Sequence, residues 1–270
     1  MKIQSLKGWL IFSLIVSLSI SCRTEFEKIR TSNDPELIYN RAMAYYDEGQ
    51  YLRAQTLFEL VLNSFRGSAK AEELAFKYAY THYYQGNFIL ASHYFENFSN
   101  TYTSSDRREE VDYLNAYSNY LLSPSYRLDQ TYTDKAIELF QIFINTYPNS
   151  ERVVSANDLI NELRAKLETK EYEQGKLYYD LKDYNAAVHS FENLLKDFPE
   201  TDNAEEVRFL ILKSAFLHAE NSFYERQKER YELAIEKFDE FKKKFPSSKY
   251  NSEATAMLNQ SRATLKKFVQ

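Results

Sequence analysis

The stretch that decides the fold is "YNAAVHSFENLLKDFP", residues 184–199. Ala187, Phe191 and Leu194 stand at i, i+4 and i+7, a spacing that puts three side chains on one helix face. Pro199 follows Leu194 by five residues; it lacks the N–H that a continuing helix needs, so the helix stops there. Alanine lets a second helix come close, and the aromatic fills the space beside it. The same pattern recurs in "YLRAQTLFELVLNSFR" (51–66), "FILASHYFENFSNTYT" (88–103), "YTDKAIELFQIFINTYP" (132–148) and "YELAIEKFDEFKKKFP" (231–246). The small residues are Ala54, Ala91, Ala136, Ala187 and Ala234, and the aromatics Phe58, Phe95, Phe140, Phe191 and Phe238. Val61, Phe98, Phe143, Leu194 and Phe241 complete the five sets.

A second helical stretch precedes each copy: "PELIYNRAMAYYDEG", "AEELAFKYAYTHYYQG", "REEVDYLNAYSNYLL", "LETKEYEQGKLYYDL" and "NAEEVRFLILKSAFLHA". Gly49 and Gly86 mark the turn inside the first two pairs, and Gly175 takes a close-packing position in the fourth. Small and aromatic residues at these offsets, with a closing proline, form the tetratricopeptide (TPR) pattern. The expected fold is therefore all-α: a solenoid of about five helix pairs, with residues 247–268 as a capping helix. The alanines lie 37, 45, 51 and 47 residues apart, longer than the 34 of an ideal repeat. "SPSYRLDQTYT" (123–133) is expected to lengthen the turn inside repeat three, and "NSFYERQKER" (221–230) that inside repeat five. Residues 150–181 hold no proline and can run as one helix of about 30 residues. That helix would join a subarray of three repeats (34–150) to one of two repeats and a cap (151–270).

The N-terminus is of a different kind. Lys2 and Lys7 precede an apolar run from Trp9 to Ile20, about half of the ~20 residues needed to cross a bilayer. A basic start, a short apolar core and small residues before a cut make a secretory signal peptide, residues 1–21. "LSISC", 18–22, ends on Cys22, the single cysteine of the chain, and resembles a bacterial lipobox. Cys22 is the expected lipidation site, its acyl chains the only non-protein group expected and the link to the membrane. Residues 22–33 then read as an acylated tether.

Composition excludes several roles. The chain is acidic, at net −5, and losing Lys2 and Lys7 with the leader makes it −7. Nucleic-acid binding needs the opposite balance. One cysteine forms no internal disulfide and no thiolate metal cluster. His82, His93, His189 and His218 have no partner at ligand spacing. Glu109-Glu110 and Glu205-Glu206 lie at helix starts, where the dipole favours them. Nothing in the chain reads as a catalytic motif, and it is expected not to be an enzyme.

A binding surface is legible in the repeats themselves. In a TPR array the first helix of each pair lines the concave face. Its positions here are Tyr39, Met43, Tyr46; Phe76, Tyr80, Tyr83; and Tyr113, Tyr117, Tyr120. Tyrosine offers apolar area with a polar tip at low entropic cost, which suits an extended peptide carrying aromatic side chains. Lipobox, repeat number and insertions together make the chain similar to the BamD family of TPR lipoproteins, part of the β-barrel assembly machinery. "SPSYRLDQTYTDKAIELFQIFINTYPNS" is most like members from Bacteroidetes-type bacteria. The resemblance implies an outer-membrane protein, lipid-anchored on the periplasmic face. It implies a BamA-like barrel insertase docked on the C-terminal repeats, and unfolded outer-membrane protein C-termini taken by the N-terminal groove. The alternative is a periplasmic TPR adaptor lipoprotein in peptidoglycan or division complexes.

Overall fold

The computed structural model describes residues 25–268, and Cys22 lies outside them. Twelve α-helices follow one another with no strand among the described residues: α1 (Glu25–Arg30), α2 (Pro35–Asp47), α3 (Tyr51–Val61), α4 (Ala71–Tyr84), α5 (Phe88–Thr101), α6 (Arg108–Leu122), α7 (Thr131–Thr146), α8 (Val153–Asp180), α9 (Tyr184–Asp197), α10 (Ala204–Glu220), α11 (Tyr224–Lys244) and α12 (Asn251–Leu265). A 3₁₀ turn, Lys266–Phe268, closes the described chain. The pairs are α2–α3, α4–α5, α6–α7, α8–α9 and α10–α11, with α12 as the cap. All fifteen residues of the repeated triplet are buried, Phe238 the most open at 8%.

The helix ends follow from local chemistry. The Asp34 carboxylate accepts from the backbone N–H groups of Glu36 (3.0 Å) and Leu37 (3.2 Å), and Pro35 starts α2. This satisfies two of the donors a helix start leaves free. At its other end Gly49 takes φ +74°. Gly49 N–H then reaches the carbonyl of Tyr46, and Gln50 N–H that of Tyr45, a Schellman closure. Gly86 repeats this geometry after α4, and Lys182 repeats it after α8 at φ 63°.

The chain packs as two compact units. The first runs to Ser123 and includes Thr131–Ile160; the second joins Pro124–Gln130 to the chain from Asn161 onward. The division expected at residue 150 falls in the turn before α8, whereas packing divides within α8 itself. In the first unit, Leu57, Phe58, Val61 and Leu74 fill the space between repeats one and two, and Phe95, Phe98 and Val111 fill the next layer. In the second unit, Phe191, Leu194, Leu212, Phe241 and Met257 join α9 to α12 in one core.

Three local features depart from, or sharpen, the sequence reading. The polar tether expected over 22–33 is helical from Glu25: Ile29 is buried in the first-repeat core, and the Phe26 ring lies 5.9 Å from that of Tyr45. Two apolar residues in a short charged segment suffice to dock it. In repeat five the extra residues do not lengthen the turn. They extend α11, which starts at Tyr224 and runs 21 residues. "YERQKER" holds good helix formers and no Gly or Pro, and Arg226 pairs with Glu229 one turn on. In repeat three the insertion is a loop, as its Pro124 requires. Its ends meet through Ser123 and Thr133. Within the second unit, Lys170 Nζ donates to the carbonyls of Tyr126 and Leu128, holding the loop on α8.

Candidate functional site

The side chains proposed for the groove come from α2, α4 and α6 of the first unit. None is freely exposed. Tyr39 and Tyr80 are buried, at 6% and 8%, and Met43, Tyr46, Phe76, Tyr83, Tyr113, Tyr117 and Tyr120 are half-buried. The two buried tyrosines join neighbouring repeats. Tyr39 donates its hydroxyl to Glu73 at 3.5 Å, and Tyr80 donates to Glu110. Burial first, then the carboxylate beside each, raises both phenols above their ordinary pKa, so they stay neutral donors. Tyr39 and Tyr80 therefore hold the repeats together rather than offer the open surface expected of them.

The remaining residues form ladders. Phe76 leads into Tyr80, which contacts Tyr83 and Tyr84. On α6, Tyr113 stacks on Tyr117 (6.0 Å, 11°) and Tyr117 on Tyr120 (5.4 Å, 22°). The inner edge of Tyr113 meets Phe140 and Phe143, so one face of the ladder packs on the core while the other stays in part open. Tyr84 was not among the expected positions, yet it is 49% exposed and stacks on Tyr51 at 4.5 Å. It lies one residue beyond the last expected position of its helix. Two clefts of this unit, about 240 and 320 Å³, are lined by other residues. The aromatic wall is thus a set of half-buried rings on three successive first helices.

A polar frame recurs along the repeats of each unit, and sequence reasoning missed it. Before α4, α6, α8, α10 and α12, the hydroxyl of Ser68, Ser105, Ser150, Thr201 or Ser248 accepts from the backbone N–H two residues on. Ser105, Ser150 and Thr201 in turn donate to Glu72, Glu109 and Glu168 of the preceding repeat. Glu109 and Glu110, read from sequence as helix-start carboxylates, are both engaged across repeats. Tyr172 and Tyr147 follow the same logic, donating to Glu206 and Asp112 at 2.9 and 2.8 Å. Burial and these bonds push both phenols up to about 12. The available signal was a Ser/Thr at a fixed place before four of the first helices and before the cap.

In the first unit the residue two after that serine is a cation. Lys70 lies over Tyr39, Arg107 over Phe76 and Arg152 over Tyr113, at 4.8, 4.6 and 5.2 Å. His82 is buried between Tyr78 and Tyr94, with neither ring nitrogen hydrogen-bonded, and burial lowers its pKa. That is a packing role. Among the described residues no cluster of His, Cys, Asp and Glu could hold a metal ion, and no helix is long and apolar enough to cross a membrane.

The second unit has a surface of its own. A cleft of about 480 Å³ is lined by Tyr126, Arg127, Lys170, Glu173, Gln174, Leu177 and Tyr178. Leu128, Leu177 and Leu181 are 60%, 56% and 67% exposed, and Phe223 is 85% exposed.

No curated protein matches the chain. Among solved structures, a thermophilic TPR protein of Thermus thermophilus shares 15% identity, covering 83% of this chain and 99% of its own, at a TM-score of 0.32. A Rap protein complexed with competence and sporulation factor also shares 15%, covering 90% and 68%, at 0.33. The model of one family matches residues 31–217 and 176–267, nearly all of the described chain; its description is YfiO, outer membrane lipoprotein. With its paired helices, its repeated small-aromatic triplet and this match, the chain belongs to the YfiO (BamD) family of outer membrane lipoproteins.

Proposed function

We propose that this protein is a non-catalytic scaffold of β-barrel assembly. It is anchored by acyl chains on Cys22 to the periplasmic face of the outer membrane. Its aromatic wall receives the aromatic C-termini of unfolded outer-membrane proteins, and its second unit docks a BamA-like insertase. The observation that carries the reading is the wall: aromatic side chains from three successive first helices, several of them half-open and stacked in a ladder. The exposed leucines and the cleft beside the repeat-three loop support a protein partner on the second unit, since apolar area gathered in one place favours association.

Tyr117 and Tyr120 make the cleanest test, because Tyr80 would unfold what it joins. Replacing both by alanine is expected to weaken binding of a peptide ending in phenylalanine about tenfold or more, as aromatic anchors do, with the helical spectrum at the assay temperature unchanged. Unaltered affinity would remove the wall from the proposal. In cells, depletion should lower many outer-membrane barrels together, and a barrel insertase should copurify in mild detergent. Normal barrels with a division defect would favour the adaptor reading instead.

A further inference from the structure

The turn before α4, α6, α8, α10 and the cap α12 occurs five times among the described residues, and it provides its own control. The residues two after the Ser or Thr are Lys70, Arg107, Arg152, Asn203 and Tyr250. The turn forms equally well with Asn or Tyr, so the fold does not require a cation there. A cation at a helix start is moreover opposed by the dipole, and a capping side chain would normally be Ser, Thr, Asp or Asn. Three cations in the first unit therefore break a local rule in the same way.

Their partners differ. Lys70 is paired with Glu36. Arg107 and Arg152 have no ion pair among the described residues, although the chain is acidic overall. Carboxylates of the repeat frame are engaged by hydroxyls: Glu72 by Ser105, Glu109 by Ser150, Glu110 by Tyr80 and Asp112 by Tyr147. Both guanidiniums are half-exposed and lie at one end of an aromatic ladder. The ladder at Arg107 runs through buried Tyr80, whereas the one at Arg152, Tyr113–Tyr117–Tyr120, is half-open along its whole length.

We infer that Arg152 is a carboxylate-reading residue. It takes the free α-carboxylate of a chain whose terminal aromatic ring lies against Tyr113 and Tyr117. A guanidinium presents a planar fork that matches a carboxylate with two parallel hydrogen bonds, and a ring beneath it holds the fork in place. The inference rests on the proposal that the wall binds aromatic-ended chains, and it adds what distinguishes a chain end from an internal aromatic residue.

The test compares one short peptide of alternating apolar and polar residues ending in phenylalanine, as the free acid and as the C-terminal amide. Binding to the full-length protein in detergent is followed by fluorescence anisotropy. The acid is expected to bind about tenfold more tightly than the amide, in line with one charge-assisted pair. Arg152→Gln should abolish that difference and leave the amide's affinity unchanged, while Arg107→Gln should preserve most of it. Equal binding of both peptides to the unaltered protein would overturn the carboxylate inference and leave the wall standing. A difference that survives Arg152→Gln would overturn the role of Arg152. Failure of both peptides to bind would instead overturn the wall reading itself.

Discussion

Lys182 bears a backbone strain that its counterparts escape. The tight turn inside repeats one, two and four needs a residue with positive φ; repeats one and two use Gly49 and Gly86, but repeat four uses lysine at φ 63°. A side chain in that region costs about 1 kcal/mol relative to glycine. Lys182 is exposed, so removing its side chain sacrifices little packing. Lys182→Gly should raise the unfolding free energy by about 1 kcal/mol, measured by urea denaturation. Residue-level features of this kind were partly legible. The glycine turns and the small-aromatic triplet announced themselves by type and spacing. The Tyr–Glu and Ser–Glu bonds did not, because their partners lie 30 to 41 residues apart in sequence and share no local pattern. Arg107 and Arg152 stayed hidden for the same reason: a lone arginine before a helix shows its meaning only when the ring beneath it is placed.

At the scale of elements, α8 shows how close two helices can come. A Cβ built on Gly175 would stand 2.5 Å from the fully buried ring of Phe191. Repeats one to three place Ala42, Ala79 and Ala116 at the corresponding site, all wholly buried, so their helices are already spaced for a methyl group. Gly175→Ala gains about 1 kcal/mol of helix propensity, but forcing a methyl against a packed ring costs about 1–3 kcal/mol. The expected net effect is a loss of about 1 kcal/mol, seen as a lower melting temperature. If Gly175→Ala stabilised the protein, α8 and α9 would have room that their packing does not show. The pairing of elements was readable from periodicity, and so was the single long helix, which runs 28 residues. The extension of α11 does not follow from the insertion's length, which says nothing about conformation; the signal for it lies in the Glu, Lys, Arg and Gln content of 224–230. The nine wall positions were found by repeat register alone, and register cannot tell a half-open ring from one closed over by the next repeat, as Tyr39 and Tyr80 are.

At the scale of the molecule, the docking of α1 sets a leash length. Ile29 and Phe26 fasten α1 to the first repeat, and only Arg23 and Thr24 separate Cys22 from Glu25. Three Cα steps span at most about 11 Å, about the width of one helix with its side chains. If Cys22 carries the acyl chains, the first repeat sits within reach of the lipid headgroups and has little freedom to swing. The anchor then sets orientation as well as location. Two measurements follow. Cys22→Ser should release folded protein from membranes, read by fractionation with an unchanged helical spectrum. Inserting a flexible Gly/Ser spacer of about 20 residues after Thr24 should keep the protein on the membrane while lengthening its reach to roughly 25 Å. If barrel assembly falls with the long spacer although membrane attachment persists, the leash acts as a ruler that holds the receiving wall at a fixed height above the bilayer. Assembly indifferent to spacer length would reduce it to a mooring.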